Sequence, residues 1–492
     1  MLGPNWTSSL ELAIRLINWS LVWQLIGGLE SPVFKTESGQ KFRDRWLRSI
    51  YQHAHFTAGH FSRYSSGNNH LIGEAAGLYV ACVTWPYWQQ TTRWCEKART
   101  ILEHEALAQN AEDGVNREQA ISYQQFVLDF LIISALAGKA ENISFSTAYW
   151  NRIEAMMNFV ASMMDYGGHV PMIGDADDGY VMRLEASAEW CPYRSLLATG
   201  AVLFDNQFFK AKAGSFDEKT RWLLGDAAAS SYESIPLPSD QSLLVRRAFE
   251  NGGYYILGAN LETPREIRCY VDAAPLGYQR IAAHGHADAL SIILTLDGNE
   301  YLIDPGTFAY HTQQKWRNYF RGTSAHNTVR VDGMDQSISG GNFMWLEHAA
   351  AQCVLWDCGD AHDRFVGMHD GYRRLKDPVT HRREILLDKP KRRLTVTDTL
   401  ECNDCHEVEV FWHFSPACAV KVDEEKVVAT NDNTKLILRG DGNFVMRTGD
   451  KETPSGWISP SFGVKMPTAT VTAQRSIRGT TQIVTTIDCI TG

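Results

Sequence analysis

I-A-A-H-G-H-A-D-A-L-S-I-I-L-T-L-D-G-N-E-Y-L-I-D-P-G-T-F-A-Y occupies positions 281 to 310, and H-T-Q-Q-K-W-R-N-Y-F-R-G-T-S followed by A-H-N-T-V-R-V carries it on to Val331. Leu290 to Leu296 is mostly apolar and β-prone. Asp297-Gly298-Asn299-Glu300 reads as a tight turn, Tyr301 to Asp304 as the returning strand, and Pro305-Gly306 ends it. His284 and His286 stand two apart, so on an extended chain they point to one side. The hairpin brings Asp304 back beside them, and His326 opens a third strand over Asn327 to Val331. His286, Asp304 and His326 are thus two imidazoles and a carboxylate at neighbouring strand ends, a donor set suited to zinc. Taken singly, each reads more readily as a hydrogen-bonded polar residue at a sheet margin, and it is the combination that points to a metal. Tyr310, Trp316, Arg317, Tyr319 and Arg321 add an aromatic and cationic group.

Downstream and immediately upstream of this stretch the pattern is β. Gly253 to Leu257, Ile267 to Val271, Arg393 to Thr397, Val408 to Trp412 and Thr481 to Thr485 are short strand-like runs, as in a large antiparallel sandwich. Further upstream it is helical. Leu10, Ala13, Ile14, Ile17 and Leu21 share one face of a first helix, with Thr7 or Ser8 as N-cap and Glu11 placed to complete a capping box with Ser8. Phe42–Phe61, Asn69–Val83, Thr91–Gln109, Glu118–Ala137, Ala148–Met164 and Leu184–Leu203 follow as long helices with short links, a pattern of stacked helical hairpins. Residues 227–240 are small, polar and proline-bearing, like a linker. The expected division is therefore a helical domain over 1–226, a linker over 227–240 and a β domain over 241–492.

A chain of 492 residues is too long for one ordinary core, which agrees with two large domains. Hydrophobic content of 44% and charged content of 21% are those of a globular protein. A net charge of −10 argues against a nucleic-acid partner and gives no general attraction to a polyanion. Fifteen Trp and eighteen Tyr suit sugar stacking, though most must fill the cores. The ten cysteines form no regular framework and give no compartment signal. Cys402 and Cys405 make a single C-x-x-C with no second pair of matching spacing, and Asn403-Asp404 between them suggests a turn. Leu16 to Ile26 is short and interrupted by Asn18, Ser20 and Gln24, so it reads as a buried amphipathic helix, neither a signal peptide nor a membrane span.

The phrases His284-Gly285-His286-Ala287-Asp288, Leu302-Ile303-Asp304-Pro305-Gly306, Trp316-Arg317-Asn318-Tyr319-Phe320-Arg321 and Ala325-His326-Asn327-Thr328-Val329 resemble the heparinase II/III-like polysaccharide lyases, most closely the heparinase III-like branch. Asn68-Asn69-His70-Leu71 with Glu74, and the helix around Tyr123, extend the resemblance over nearly the whole chain. It implies an α+β multidomain fold, an N-terminal incomplete (α/α) toroid followed by a large antiparallel β-sandwich. It also implies β-elimination on an anionic, uronate-containing polysaccharide: heparan-sulfate-like, another glycosaminoglycan, alginate or a bacterial exopolysaccharide. Asn69, aided by His70, becomes the group that neutralises the uronate carboxylate. Tyr123 becomes the acid at O4 and a possible base, His284 the other proton-transfer residue, and Tyr310 a further participant. Zinc on His286, Asp304 and His326 has a structural role, fixing the strand that carries His284. The resemblance also implies a periplasmic or secreted protein. In relatives the N-W-x-x-x-L-E phrase that here begins at Asn5 lies well inside the protein, so a shortened N-terminus is expected.

Three assignments stay open at this level. Arg317 and Arg321 suit substrate anions through bidentate forks, or pair with acidic side chains inside the fold. The Gly174–Gly179 loop, G-D-A-D-D-G, lacks the length and terminal Glu of an EF-hand and reads as a structural or subsite-rim loop. Two rival functions also remain. A glycoside hydrolase would need two carboxylates across the scissile bond, for which Glu74 and Asp175 or Asp177 are the nominees. A non-catalytic carbohydrate-binding or exopolysaccharide-assembly protein would need none.

Overall fold

The computed structural model describes residues 6–240, 244–423 and 426–491. Asn5 and residues 241–243, where the N-terminal phrase and the β domain were expected to begin, lie outside the described residues. The chain divides into two compact units: one of 1–114, 124–157 and 179–236, the other of 115–123, 158–178 and 237–492. The single boundary expected near 226–241 is thus too simple, because two short segments from the helical half belong with the strands. Arg268 shows what holds one of them. Fully buried, it donates to the Ser162 and Met164 carbonyls and is neutralised by Glu262 and Glu266. The expected linker is also partly a helix, Ala227–Ser234, in which Tyr232 is buried. Its run of three alanines carries higher helix propensity than its small, polar character suggests.

The helical elements are α1 (Ser9–Leu25), α2 (Glu37–Gly59), α3 (Asn69–Thr84), α4 (Thr91–Ala108), α5 (Ile121–Ala140), α6 (Thr147–Met163), α7 (Pro192–Phe204), α8 (Gln207–Ala213), α9 (Glu218–Leu224) and α10 (Ala227–Ser234). They pack as successive hairpins, the incomplete (α/α) toroid architecture. α1 buries Leu10, Leu12, Ala13, Leu16 and Ile17 and lies against α3. Gly77 permits that approach: a Cβ there would stand 2.4 Å from the Ala13 carbonyl oxygen. The expected capping box does not form. Ser8 occupies the N-cap position without a side-chain cap bond, and Glu11 pairs with Arg15 at 3.0 Å. α7 starts later than its apolar pattern suggested, because Pro192 sits at its first turn and sets its beginning. α5 is, among the described residues, the one helix long and apolar enough to cross a bilayer, but 78% of that window is buried in the fold, as in a core helix.

The second unit is a large antiparallel β-sandwich. β1 (Ala248–Phe249), β2 (Tyr254–Ala259), β3 (Ile267–Asp272), β4 (Ile292–Leu296) and β5 (Asn299–Leu302) form one sheet in that order. β2, β3 and β4 are buried on both faces, which explains their mostly apolar runs; the charges in β3 are Arg268 and Asp272. The β4–β5 hairpin turns at Asp297-Gly298, both at positive φ (53° and 78°), the conformation an Asp-Gly pair favours. After α11 (Gln314–Arg321) come β6 (Val329–Val331), β7 (Ile338–Gly341), β8 (Met344–Glu347), β9 (Ala351–Cys358), β10 (His362–His369), β11 (Thr380–Asp388), β12 (Arg393–Glu401), β13 (Cys405–His413), β14 (Ala419–Val422), β15 (Lys426–Asn431), β16 (Thr434–Gly440), β17 (Asn443–Thr448), β18 (Trp457–Ser461), β19 (Val464–Pro467), β20 (Ala469–Arg478) and β21 (Thr481–Ile490).

An eight-stranded sheet runs β14-β15-β16-β21-β12-β11-β10-β9, and a four-stranded sheet runs β17-β20-β13-β6. Along β11 and β12 every second residue is buried, so one face of each strand points inward, with Ile385, Leu387, Leu394 and Val396 in the core. The strand following His326 is therefore not a neighbour of β5 in one sheet, as its sequence suggested: β6 pairs with β13. Ile303 N–H donates to the His413 carbonyl and brings the two sheets' ends together.

Candidate active site

The site in the strand-rich unit is built around Asp175, a fully buried carboxylate in the 174–179 loop. Its two oxygens are divided among three partners. His284 Nδ1 lies 3.1 Å from Oδ2, His286 Nε2 lies 3.0 Å from Oδ1, and Arg317 forks onto both oxygens, with Nη2 at 2.8 Å. The histidines two apart do point to one side, and what they point at is this carboxylate. Burial works against the Asp175 charge, but the guanidinium and the two imidazoles outweigh it and hold the carboxyl well below its ordinary range. Asp175 is an ionised anchor, in line with the structural one of the two readings of its loop.

The tyrosines stand next to it. The Tyr123 ring, at the start of α5, stacks on His284 with centroids 4.0 Å apart. Its hydroxyl lies 3.1 Å from that of Tyr310 and 3.5 Å from Asp177 Oδ2. Burial, reinforced by Asp177, pushes the Tyr123 hydroxyl well above its ordinary pKa, and burial with Asp175 does the same for Tyr310. Both phenols therefore hold their protons at neutral pH. His284 Nε2, on the far side of the ring from Asp175, is 3.6 Å from Glu118.

Arg317 and Arg321 do not offer open cations to a substrate; both are buried inside the fold. Arg317 is bound to Asp175 and to the Asn342 carbonyl. Arg321 donates to the carbonyls of Gly341, Asn342 and Met344 and lies 3.9 Å over the Trp345 ring. Together they clamp the β7–β8 turn. That turn carries Phe343, whose ring is 5.8 Å from His284 and 4.9 Å from Tyr310. Phe462, from the β18–β19 turn, is 5.0 Å from Tyr310 on another side.

Two residues beyond His284 the chain reaches a second group. One ligand atom each from His286, Asp288, Asp304 and His326 lie within 4.8 Å of one another, and all four residues are buried. His326 Nδ1 is held by Asp304 at 2.9 Å. The other nitrogens, His286 Nδ1 and His326 Nε2, are buried without a hydrogen-bond partner among the described residues. Two orphaned imidazole nitrogens beside two carboxylates are what a zinc ion would satisfy, with Asp175 as the outer partner that orients His286. The residues present fit the ion.

Asn69 and His70 belong to the helical unit. Asn68 is the N-cap of α3, its Oδ1 accepting from His70 N–H at 3.2 Å, and Asn69 is the buried first residue of the helix. Glu74, further along α3, accepts from the Ser62 N–H and hydroxyl at 2.6 and 2.7 Å, and burial raises it to about 7.

Two family models match the chain, one described as Heparinase II/III N-terminus over residues 5–193 and one as Heparinase II/III-like, C-terminal over residues 243–486. The chain belongs to the heparinase II/III-like family. Among curated members, the heparin-sulfate lyase of Pedobacter heparinus is 22% identical over 427 residues, which cover 85% of this chain and 55% of that protein. The heparin-sulfate lyase of Bacteroides thetaiotaomicron is 23% identical over 406 residues, covering 78% and 50%. The chain thus spans about half the length of the curated relatives it matches. Among solved structures, a heparinase III superposes with a TM-score of 0.75 at 17% identity, over 98% of this chain and 69% of that one. A chondroitin AC lyase of Streptomyces coelicolor A3, solved with chondroitin sulphate, gives 0.54 at 12% identity over 99% and 68%. These likenesses show the fold of a heparinase II/III-like protein.

Sequence reading missed four residues of the site. Asp288 continues the two-residue spacing of His284 and His286, so the H-x-H-x-D pattern was a usable signal. Phe343 had none. Glu118 and Asp175 lie 166 and 109 residues from His284, and only the fold brings them near.

Proposed function

We propose that this chain is a polysaccharide lyase that cleaves a uronic-acid-containing glycosaminoglycan by β-elimination, leaving a 4,5-unsaturated uronate. The observation that carries the reading is the stacked Tyr123–His284 pair, with Tyr310 on the tyrosine hydroxyl and Asp175 on His284 Nδ1. β-Elimination needs a base for the C5 proton and an acid for the departing O4. Asp175 accepts the Nδ1 proton of His284 and leaves the Nε2 lone pair to act as base. Tyr123 and Tyr310, kept protonated by burial, suit the acid. Neutralisation of the uronate carboxylate, which stabilises the developing enolate-like charge, is assigned to Asn69 with His70 on the family motif alone. Phe343 and Phe462 supply apolar faces for sugar rings.

Zinc held by His286, Asp288, Asp304 and His326 would serve structurally, stiffening the chain two residues from His284. A substrate of this class fits a periplasmic or secreted protein. A hydrolase finds less support: Asp175 is already engaged by an arginine and two histidines, and Glu74 by Ser62.

The test is absorbance of the unsaturated product during incubation with heparan sulfate, chondroitin sulfate, hyaluronan, alginate and uronate exopolysaccharides. A rise on one substrate that Tyr123→Phe and His284→Ala both abolish is expected. New reducing ends without ultraviolet absorbance would identify a hydrolase. Saturable binding without cleavage on every member would identify a carbohydrate-binding protein.

A further inference from the structure

The single C-x-x-C finds its missing partners only in the fold. The β12–β13 turn, Cys402-Asn403-Asp404, delivers Cys402 and the following His406 to one corner of the sandwich. There the β10–β11 loop brings Asp377. One ligand atom each from Asp377, Cys402 and His406 lie within 4.8 Å of one another. His406 is buried and the other two are half-buried.

Each donor is already fixed. Asp377 Oδ2 accepts the backbone N–H groups of Asn403 and Asp404, both at 2.8 Å, and Oδ1 accepts from the Asn403 side chain at 3.1 Å. His406 Nδ1 donates to Asp332 Oδ2 at 2.6 Å, which presents Nε2 to Asp377 at 3.1 Å. A carboxylate behind a ligating imidazole is the recurrent outer partner of a metal-bound histidine. Cys402 Sγ lies 3.4 Å from the carbonyls of Asp404 and Gly479. Cys405 is exposed and precedes His406 on β13, so its side chain points to the opposite face and stays outside the group.

We propose that Asp377, Cys402 and His406 form a second metal site in this chain, taking zinc through one thiolate, one imidazole and one carboxylate, with water in the fourth position. A tetrahedral zinc needs ligand atoms roughly 3.5 Å apart, so small side-chain shifts close the site. Binding replaces the thiol proton of Cys402 with the metal–sulfur bond and releases that proton to solvent. The ion ties the β10–β11 and β12–β13 turns together where the eight-stranded and four-stranded sheets meet, and Asp332 adds the turn after β6. Its role is that of a staple between sheets.

Cobalt(II) separates this site from the His286–His326 group, which contains no sulfur. The chelator-treated full chain is titrated with cobalt(II), and the near-ultraviolet sulfur-to-cobalt charge-transfer band is recorded. The expected result is a band that saturates in the wild type, persists in Cys405→Ser and in His326→Ala, and disappears in Cys402→Ser. Absence of the band from the wild type, or its survival in Cys402→Ser, overturns the proposal. Persistence in His326→Ala keeps the result independent of the other metal group.

Discussion

Asp175 and Asp398 are both buried, both forked by an arginine and both bonded to histidine, yet the networks they anchor end differently. From Asp398 the chain of bonds closes. Arg383 donates to both of its oxygens and to the Leu290 and Asn327 carbonyls. His381 donates to Asp398 at 2.7 Å and accepts from His369 at 2.9 Å, and the Gly371 N–H satisfies the last nitrogen of His369. From Asp175 the bonds lead to His284, on whose ring Tyr123 stacks, and to His286, whose Nδ1 has no hydrogen-bond partner among the described residues. A buried charge is not by itself a sign of function. What distinguishes the Asp175 cluster is the polar capacity left over at His286 once the charge has been neutralised.

The largest effect should come from the open end. Tyr123→Phe removes a hydroxyl and little volume, and kcat should fall about 100- to 10,000-fold. Unchanged circular dichroism would assign the loss to chemistry. The next comparison sets the two aspartates against each other. Asp175→Asn and Asp398→Asn each leave a buried arginine without its charge partner, so each should destabilise by about 3–5 kcal/mol in denaturant titration. Only Asp175→Asn should reduce turnover of the fraction that remains folded. An equal loss from Asp398→Asn would erase the distinction.

A smaller effect tests the orphaned nitrogens. With zinc in about 100-fold excess over its dissociation constant, the ion should stabilise the chain by about 3 kcal/mol, read as a melting temperature that falls on chelation. In His326→Ala the chelation effect should shrink, and bound zinc measured by elemental analysis should drop.

The smallest effect is a difference in pH response between the two units, measured by hydrogen exchange of their peptides. The Asp175 and Asp398 carboxyls are held below the ordinary 3.8 despite burial, mainly by their arginines. Their stabilisation is present above that value and lost as pH falls through the lowered folded-state pKa. Glu74 is raised by burial from 4.5 to about 7. Its contribution is complete below 4.5 and lost as pH rises through about 7. Protection should therefore weaken in the strand-rich unit at the acid end and in the α3 region towards neutrality. The same slope in both would contradict these environments.

What the sequence made legible follows from distance along the chain. The β4–β5 hairpin could be read because an Asp-Gly turn is set by local backbone preference. The His286, Asp304 and His326 group could be read because its members lie within 40 positions of each other, beside strands of recognisable period. Asp175 could not, since an acidic loop looks solvated until a distant arginine is placed against it. Arg317 and Arg321 stayed open between two readings for the mirror-image reason: their partners, a remote carboxylate and backbone carbonyls, leave no mark on the neighbouring sequence. The division into units was blurred because residues 115–123 and 158–178 are joined in sequence to helices while their packing is with strands.

The hydrogen bonds of the arginine clamp on the β7–β8 turn all go to carbonyl oxygens, those of Gly341, Asn342 and Met344, while the two cations lie over the Phe343 and Trp345 rings. Carbonyl oxygens are common to all amino acids. The hydrogen bonds that set the shape of the turn therefore do not depend on which side chains it displays, Phe343 among them. One displayed side chain could be exchanged without removing any of these bonds.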